Sequence, residues 1–338
     1  MSNFYKYEPT LENFWRSIVL FGKNTASYKF ALAKTLIELD ISTSDFIKLE
    51  DLAEPYSKHI CSHLKHSNKQ TTNPSSTFIN ACKKFNENNI SLDSLIEVTK
   101  KEGFKYVLDR FHIVNNSPLP RQFYISENKN IRLTDDFYKL VNSEHNENFL
   151  NEIEARWNLV ETGWELGISA NHLQIEYDED QQSFCANTAN KRKSVTSVKN
   201  ALNGYQKGKC FYCYKYISTL KSSSFLCDVD HFFPHILKSK NFDGYLDGIW
   251  NLVLSCKDCN RGENGKFAKV PSILMLEKLY IRNEYLYSDH HLLRETIIQQ
   301  LGDNSQMRRS NLQKLHEQAA AILIHEWNPI QNDDYKNF

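Results

Sequence analysis

No run of about 18 or more apolar residues occurs in this 338-residue chain, which excludes a transmembrane helix of ordinary length. The first residues, Met1-Ser2-Asn3-Phe4-Tyr5-Lys6-Tyr7-Glu8-Pro9, lack the apolar core of a secretory leader. The expectation is a cytoplasmic protein in a reducing compartment. There, eight cysteines serve as metal ligands or core residues more readily than as a disulfide framework. There is no internal repeat and no long low-complexity segment. Net charge is also absent, since 41 basic residues balance 41 acidic ones. That balance is uneven along the chain. Residues 186–269 hold 14 basic and 6 acidic residues, while the remainder holds 27 and 35. A basic window of this kind suits a polyanion, and the acidic remainder suits a protein partner.

The hydrophobic spacing predicts a mainly helical first third. Leu11, Phe14, Trp15, Ile18 and Val19 form one helical stripe, and Tyr28, Ala31, Leu32, Leu36 and Leu39 a second. Residues 67–76 read as a polar loop, and further helices are predicted near 76–87 and 91–103. Phe123-Tyr124-Ile125 and Ile131-Arg132-Leu133 flank Glu127-Asn128-Lys129-Asn130, a short hairpin signal. Ile153, Trp157, Val160 and Trp164 then share one face of a long helix. The acidic stretch Glu176-Tyr177-Asp178-Glu179-Asp180 reads as a linker, and helical patterning returns beyond Pro271. These signals divide the chain into a helical region with a small hairpin (1–185), a basic module (186–270) and C-terminal helices (271–338).

The basic module carries the chemistry. Cys210 and Cys213 form one C-x-x-C pair and Cys256 and Cys259 a second, with 42 residues between them. Four thiolates close a tetrahedral zinc shell with no open position, so the site they imply is structural. Cys227 lies between the pairs and reads as a small apolar core residue. Cys61, Cys82 and Cys185 have no such context. Between the pairs lies Asp228-Val229-Asp230-His231-Phe232-Phe233-Pro234, and Asn260 directly follows Cys259. His231 suits proton transfer near neutral pH, because the imidazole titrates there. Asp230 and Asn260 offer the hard oxygen donors that Mg²⁺ takes.

Asp230-His231 with Pro234, then Asn251, then Asn260 beside Cys259, resemble the HNH or His-Me finger nucleases over about Lys209 to Lys269. The cysteine-bracketed layout is similar to resolvases of the endonuclease VII type. The Asp-Val-Asp-His and Asn-Arg-Gly segments are similar to the HNH domain of CRISPR RNA-guided effectors. The resemblance implies an α+β fold: a mostly α-helical chain with an embedded ββα-metal module, stapled by a four-cysteine zinc site. It implies a DNA endonuclease with His231 as general base and Asp230 and Asn260 holding Mg²⁺ or Mn²⁺. Asn251 would brace the loop that presents His231, and Asp258 would join the metal shell or merely start a helix. Asp228 would orient Asp230, while His235 sits at an offset that does not match the motif. Arg261, Lys266 and Lys269 would lie on the helix and hold phosphates. HNH nucleases with large accessory regions often look like restriction or phage-defence effectors, and the resemblance in that respect implies other defence proteins as partners. A zinc-stapled nucleic-acid-binding module that does not cut, an RNA-directed nuclease and a partner-gated nuclease remain the alternatives. His59, His63 and His66, on one helix face around Cys61, read as a mixed polar surface rather than a second metal site.

Overall fold

The structure is a computed structural model that describes residues 5–6, 8–21, 25–40, 44–114, 116–127, 130–143, 146–165, 174–178, 183–188, 191–194, 198–288 and 292–329. It is an α+β chain, mostly helical, with sheets of two or three strands. The chain forms two compact units, one of residues 9–167 and one of 168–338 joined by residues 1–8. The division therefore falls earlier than residue 185, and the C-terminal helices belong to the same unit as the basic module.

In the first unit, α1 (Leu11–Phe21) is nearly all buried. Its Trp15 is packed edge-on against Phe111 and Phe123, with ring centroids at 5.7 and 5.2 Å. The helices α2 (Tyr28–Glu38), α3 (Leu49–Leu64), α4 (Thr77–Asn86) and α5 (Leu92–Val98) follow. Ser76 and Ser91 start α4 and α5 by accepting hydrogen bonds from Ile79 N and Ser94 N, which satisfies exposed donors of the first turns. A short β1 (Phe46–Ile47) precedes α3, and α6 (Val107–Arg110) leads into the two-stranded β2 (Ile113–Val114) and β3 (Ser117–Pro118). The hairpin anticipated at 122–134 is β4 (Tyr124–Glu127) with β5 (Asn130–Leu133), and β1 adds to it in the order β1-β5-β4. α7 (Asp135–Val141) and α8 (Phe149–Glu165) close the unit. Ile153, Trp157 and Val160 of α8 are buried as the periodicity requires, and Trp164 is half-buried. A buried, two-point ion pair joins α1 to α8, Arg16 Nε and Nη2 donating to Glu152 at 2.8 and 3.1 Å.

The second unit opens with a three-stranded antiparallel sheet of β6 (Gln174–Asp178), β7 (Ser183–Thr188) and β8 (Lys191–Ser194). Glu176 to Asp178, read from sequence as linker, are strand; Glu179 and Asp180 lie outside the described residues. After α9 (Val198–Tyr205) come β9 (Asp228–His231), β10 (Leu252–Ser255) and α10 (Lys257–Arg261). β9 and β10 pair antiparallel with Leu252 opposite His231 and Ser255 opposite Asp228. β11 (Val270–Pro271), α11 (Ile273–Ser288), α12 (Leu292–Leu301), α13 (Ser305–Ile322) and β12 (Glu326–Trp327) complete the unit. β12 lies parallel to β11, so the chain beyond α13 ends the helical patterning as a strand and returns to the region just after α10. Among the described residues, no helix is long and apolar enough to cross a membrane.

Candidate functional site

The first C-x-x-C forms a tight knuckle. Tyr214 N donates to Cys210 O at 3.1 Å and Cys210 N to Lys215 O at 2.7 Å. The turn requires a left-handed residue after Cys213, and Tyr214 takes it with φ 62°. Its ring is fixed on two sides, by a hydrogen bond from its hydroxyl to Glu8 at 2.5 Å and by the Lys278 ammonium 5.2 Å from its centroid. The second pair starts α10: Cys256 is its N-cap and Cys259 lies within it. Phe211 N donates to Leu254 O at 3.0 Å, and Cys256 N to Cys210 Sγ at 3.3 Å, so the knuckle docks on the end of β10. All four Sγ atoms lie within 4.8 Å of one another. Cys213 Sγ is 3.6 Å from Cys256 Sγ. A tetrahedral zinc–thiolate shell needs sulfur separations of roughly 3.8 Å, from Zn–S bonds near 2.3 Å. The four cysteines could therefore hold a zinc ion. Cys227 is buried outside this group.

β9, β10 and α10 give a two-strand-and-helix unit, and the sequence-predicted residues lie along it. Asp230 and His231 end β9, both more than nine-tenths buried. His231 Nε2 is 3.2 Å from Asp247 Oδ1, and Lys238 Nζ is 2.7 Å from the other oxygen of Asp247. Burial works against the Asp247 charge, but the hydrogen bonds from His231 and Lys238 outweigh it and hold its carboxyl below the usual range. Asn251 is fully buried and spans the base of the loop. Its Oδ1 accepts from Phe233 N at 2.8 Å, and its Nδ2 donates to Phe233 O at 3.1 Å and to Leu246 O at 2.9 Å. The segment just after His231 and the one just before Asp247 are thus tied to one amide. α11 supports the same point, since Arg282 Nη2 and Asn283 Nδ2 donate to Trp250 O at 2.9 and 3.1 Å.

Asp230 faces inward. Tyr212 donates its hydroxyl to Oδ2 at 2.5 Å, and Lys266 Nζ lies 3.3 Å from Oδ1. Burial raises the Asp230 pKa, with Lys266 and Tyr212 partly offsetting it. Lys266 corrects the sequence reading. It is not on a helix and does not face solvent, because α10 stops at Arg261 and the chain turns at Gly262, where a Cβ would meet Asp258 O at 2.6 Å. The turn buries Lys266 completely, and its ammonium also donates to His231 O at 2.9 Å. Lys269 likewise lies beyond the helix, exposed. Arg261 is at the helix end and exposed, but it pairs with Asp228 at 3.0 Å. Asn260 Nδ2 donates to the same Asp228 at 3.1 Å, so Asp228 engages the end of α10, where the sequence reading has it orient Asp230.

The oxygen donors of Asp230 and Asn260 have the chemistry Mg²⁺ takes, and the Lys266 ammonium already supplies one positive charge against Asp230. Asp258 stands apart from that pair. It is exposed and lines a 290 Å³ cavity with Cys213, Cys256 and Cys259, on the thiolate side of α10. Among the described residues, the four cysteines are the one group of three or more His, Cys, Asp or Glu side chains gathered as a metal would need. Sequence reasoning missed Asp247, Tyr212 and the inward turn of Lys266. Asp247 sits four residues before Asn251 in no recognisable motif. Only its position between His231 and Asn251 could have suggested it.

The histidine face of α3 also differs from its reading as a polar surface. His63 is buried between two carboxylates of α8, with Nδ1 2.7 Å from Glu161 and Nε2 3.1 Å from Glu154. Its ring stacks on Trp157 at 3.5 Å. His59 Nε2 lies 3.0 Å from Glu38 of α2 without a hydrogen bond to it. This cluster is a helix-to-helix connection.

No protein-family model, curated protein or solved structure matches this chain.

Proposed function

We propose that the chain is an HNH-type endonuclease that hydrolyses phosphodiester bonds in DNA and nicks one strand per encounter. One observation carries the reading: Asp230-His231 end the first strand of a two-strand-and-helix unit, His231 is hydrogen-bonded to Asp247, and four cysteines staple the unit. Hydrolysis needs a water deprotonated beside the phosphorus. With Nε2–H donating to Asp247, Nδ1 is the imidazole nitrogen that carries the lone pair, so it is the base. Asp247 holds that tautomer and stabilises the imidazolium after proton transfer. Asn251 fixes the distance between the two by tying Phe233 to Leu246. Asp230 and Asn260 would hold Mg²⁺ or Mn²⁺, which when bound polarises the phosphate and stabilises the leaving oxygen. Cys210, Cys213, Cys256 and Cys259 would hold zinc. The surplus of basic residues over 186–269 supports a polyanionic substrate. A role in restriction or phage defence, with other defence proteins as partners, rests on resemblance alone.

The second reading is a zinc-stapled nucleic-acid-binding module that does not cut. The contacts of Tyr212 and Lys266 with Asp230 favour it, because they compete with a metal for the same carboxylate. Purified, zinc-loaded protein incubated with supercoiled plasmid and Mg²⁺ or Mn²⁺ separates the two. Metal-dependent nicking lost in His231→Ala supports the endonuclease. Equal nicking by His231→Ala overturns the site assignment, and plasmid retardation without cutting favours the binding module. A matched RNA of the same sequence tests the choice of DNA.

A further inference from the structure

The first unit contains a cavity of 260 Å³ whose walls include Lys29, Arg110, Tyr28, Tyr106, Val107 and Ile113. Among the described residues no carboxylate lines it. Two cations therefore face one cavity with no acid between them. Several other basic side chains of this unit pair with acids: Arg16 with Glu152, Lys34 with Glu154, Lys100 with Glu50 and Arg132 with Glu127. Lys29 instead donates to two neutral acceptors, Phe111 O at 3.1 Å and Ile113 O at 2.8 Å. Its ammonium has three N–H bonds, so one remains beyond these two. Burial, and then the nearby Arg110 guanidinium, push its pKa down to about 8. Arg110 is exposed and has no ion pair among the described residues.

Holding like charges together in a partly buried site costs free energy that an anion would relieve. Two cations match the charge of a phosphate monoester, about −1.5 to −2 at neutral pH. The guanidinium fork suits its oxygens. The rim supplies a second kind of contact. Tyr106 is 68% exposed, which is unusual for so large an aromatic ring; the Lys105 ammonium lies over the ring 5.5 Å from its centroid, which leaves one face on which a flat ring can stack. The volume lies just below the usual range of small-molecule sites, roughly 300–1,000 Å³, and the cavity opens to solvent, so it suits one mononucleotide unit.

We propose that this cavity binds a nucleoside monophosphate group, with the phosphate between Lys29 and Arg110 and the base against Tyr106. The group could belong to a free mononucleotide or to the 5′-phosphorylated end of a strand. The site stands whether or not the second unit cuts DNA. Isothermal titration of the full chain tests it with each of the four nucleoside monophosphates, with inorganic phosphate, with adenosine and with a 5′-phosphorylated dinucleotide. At least one monophosphate or the dinucleotide should bind tenfold or more tightly than phosphate or adenosine alone. Arg110→Gln and Tyr106→Ala should each weaken binding about tenfold with unchanged thermal melting, since both side chains are exposed. Lys29→Met is less informative because Lys29 also holds two loop carbonyls. Tighter binding of the dinucleotide assigns the strand end, and tighter binding of the monophosphate assigns the free nucleotide. Absence of heat with every phosphate ester at millimolar concentration overturns the proposal. Binding unchanged in both variants overturns it as well.

Discussion

Replacing Asn251 with alanine should destabilise the second unit far more than loss of one ordinary hydrogen bond. The side chain satisfies three backbone groups, the N–H and C=O of Phe233 and the C=O of Leu246, in a fully buried position. A buried polar group left without a partner costs about 1–3 kcal/mol. Water entering the space left by the amide would recover part of that cost. The net loss is then roughly 3–6 kcal/mol. For a unit of about 180 residues, each kcal/mol lowers the melting temperature by about 2–4 °C. The expected drop is roughly 6–24 °C, read by calorimetry on samples with equal zinc content. Asn251→Asp keeps an acceptor for Phe233 N–H but sets a carboxylate against two carbonyls, so it should be no less damaging. A fall of less than about 2 °C for the alanine variant, with zinc retained, would refute the bracing role.

Three further outcomes are expected. Purified protein should carry one zinc per chain by atomic emission, and Cys259→Ser should lose it and lower the melting temperature of the second unit, because thiolate–zinc binding is also folding free energy. Asp247→Asn should reduce nicking roughly 10–100-fold without loss of fold, whereas His231→Ala should reduce it roughly 10²–10⁴-fold; equal activity of wild type and Asp247→Asn would remove Asp247 from the mechanism. Acidification should weaken the first unit. Burial lowers the pKa of His59 to about 4 and of His112 to about 3, so their contribution is present above about 6.5 and is lost as pH falls toward those values. His63 acts in the other sense. Burial opposes its charge, but Glu154 and Glu161 win and raise its pKa, so its contribution is present below about 6.5 and lost as pH rises through the raised value. Below pH 6.5 the His63 contribution is already nearly complete, so the two depressed histidines alone should give a loss of roughly 2–4 kcal/mol between pH 6.5 and 4.5, discounted for partial exposure of His59. Urea midpoints that do not fall over that range would contradict this account.

Local patterns were legible in the sequence, and long-range ones were not. Helical periodicity marked α1, α2 and α8, because a buried face repeats within a single segment. The C-x-x-C spacings marked the knuckle and the start of α10 for the same reason. The sheet β6–β8 was hidden by its composition, since acidic and basic strands read as linker when neighbouring strands are unknown. Lys266 was misread because its partner, Asp230, is 36 residues away and only the turn at Gly262 directs it inward. The glutamates around His63 are 91 and 98 residues distant, beyond any local pattern.

The pairing of β11 with β12 has a consequence for synthesis. Trp327 reaches back to donate to Asn264 O at 2.8 Å and packs edge-on against Tyr212, the residue that holds Asp230, at 5.0 Å. During translation the cysteine pairs and α10 leave the ribosome 66 residues before Trp327 does. At elongation rates of about 5–20 residues per second, that interval is roughly 3–13 s. A nascent chain would carry its thiols and its Asp230-His231 strand before the indole that packs on Tyr212 arrives. Metal capture by the knuckle can therefore precede completion of the site, and the last step of assembly falls to a tail rather than to the motif.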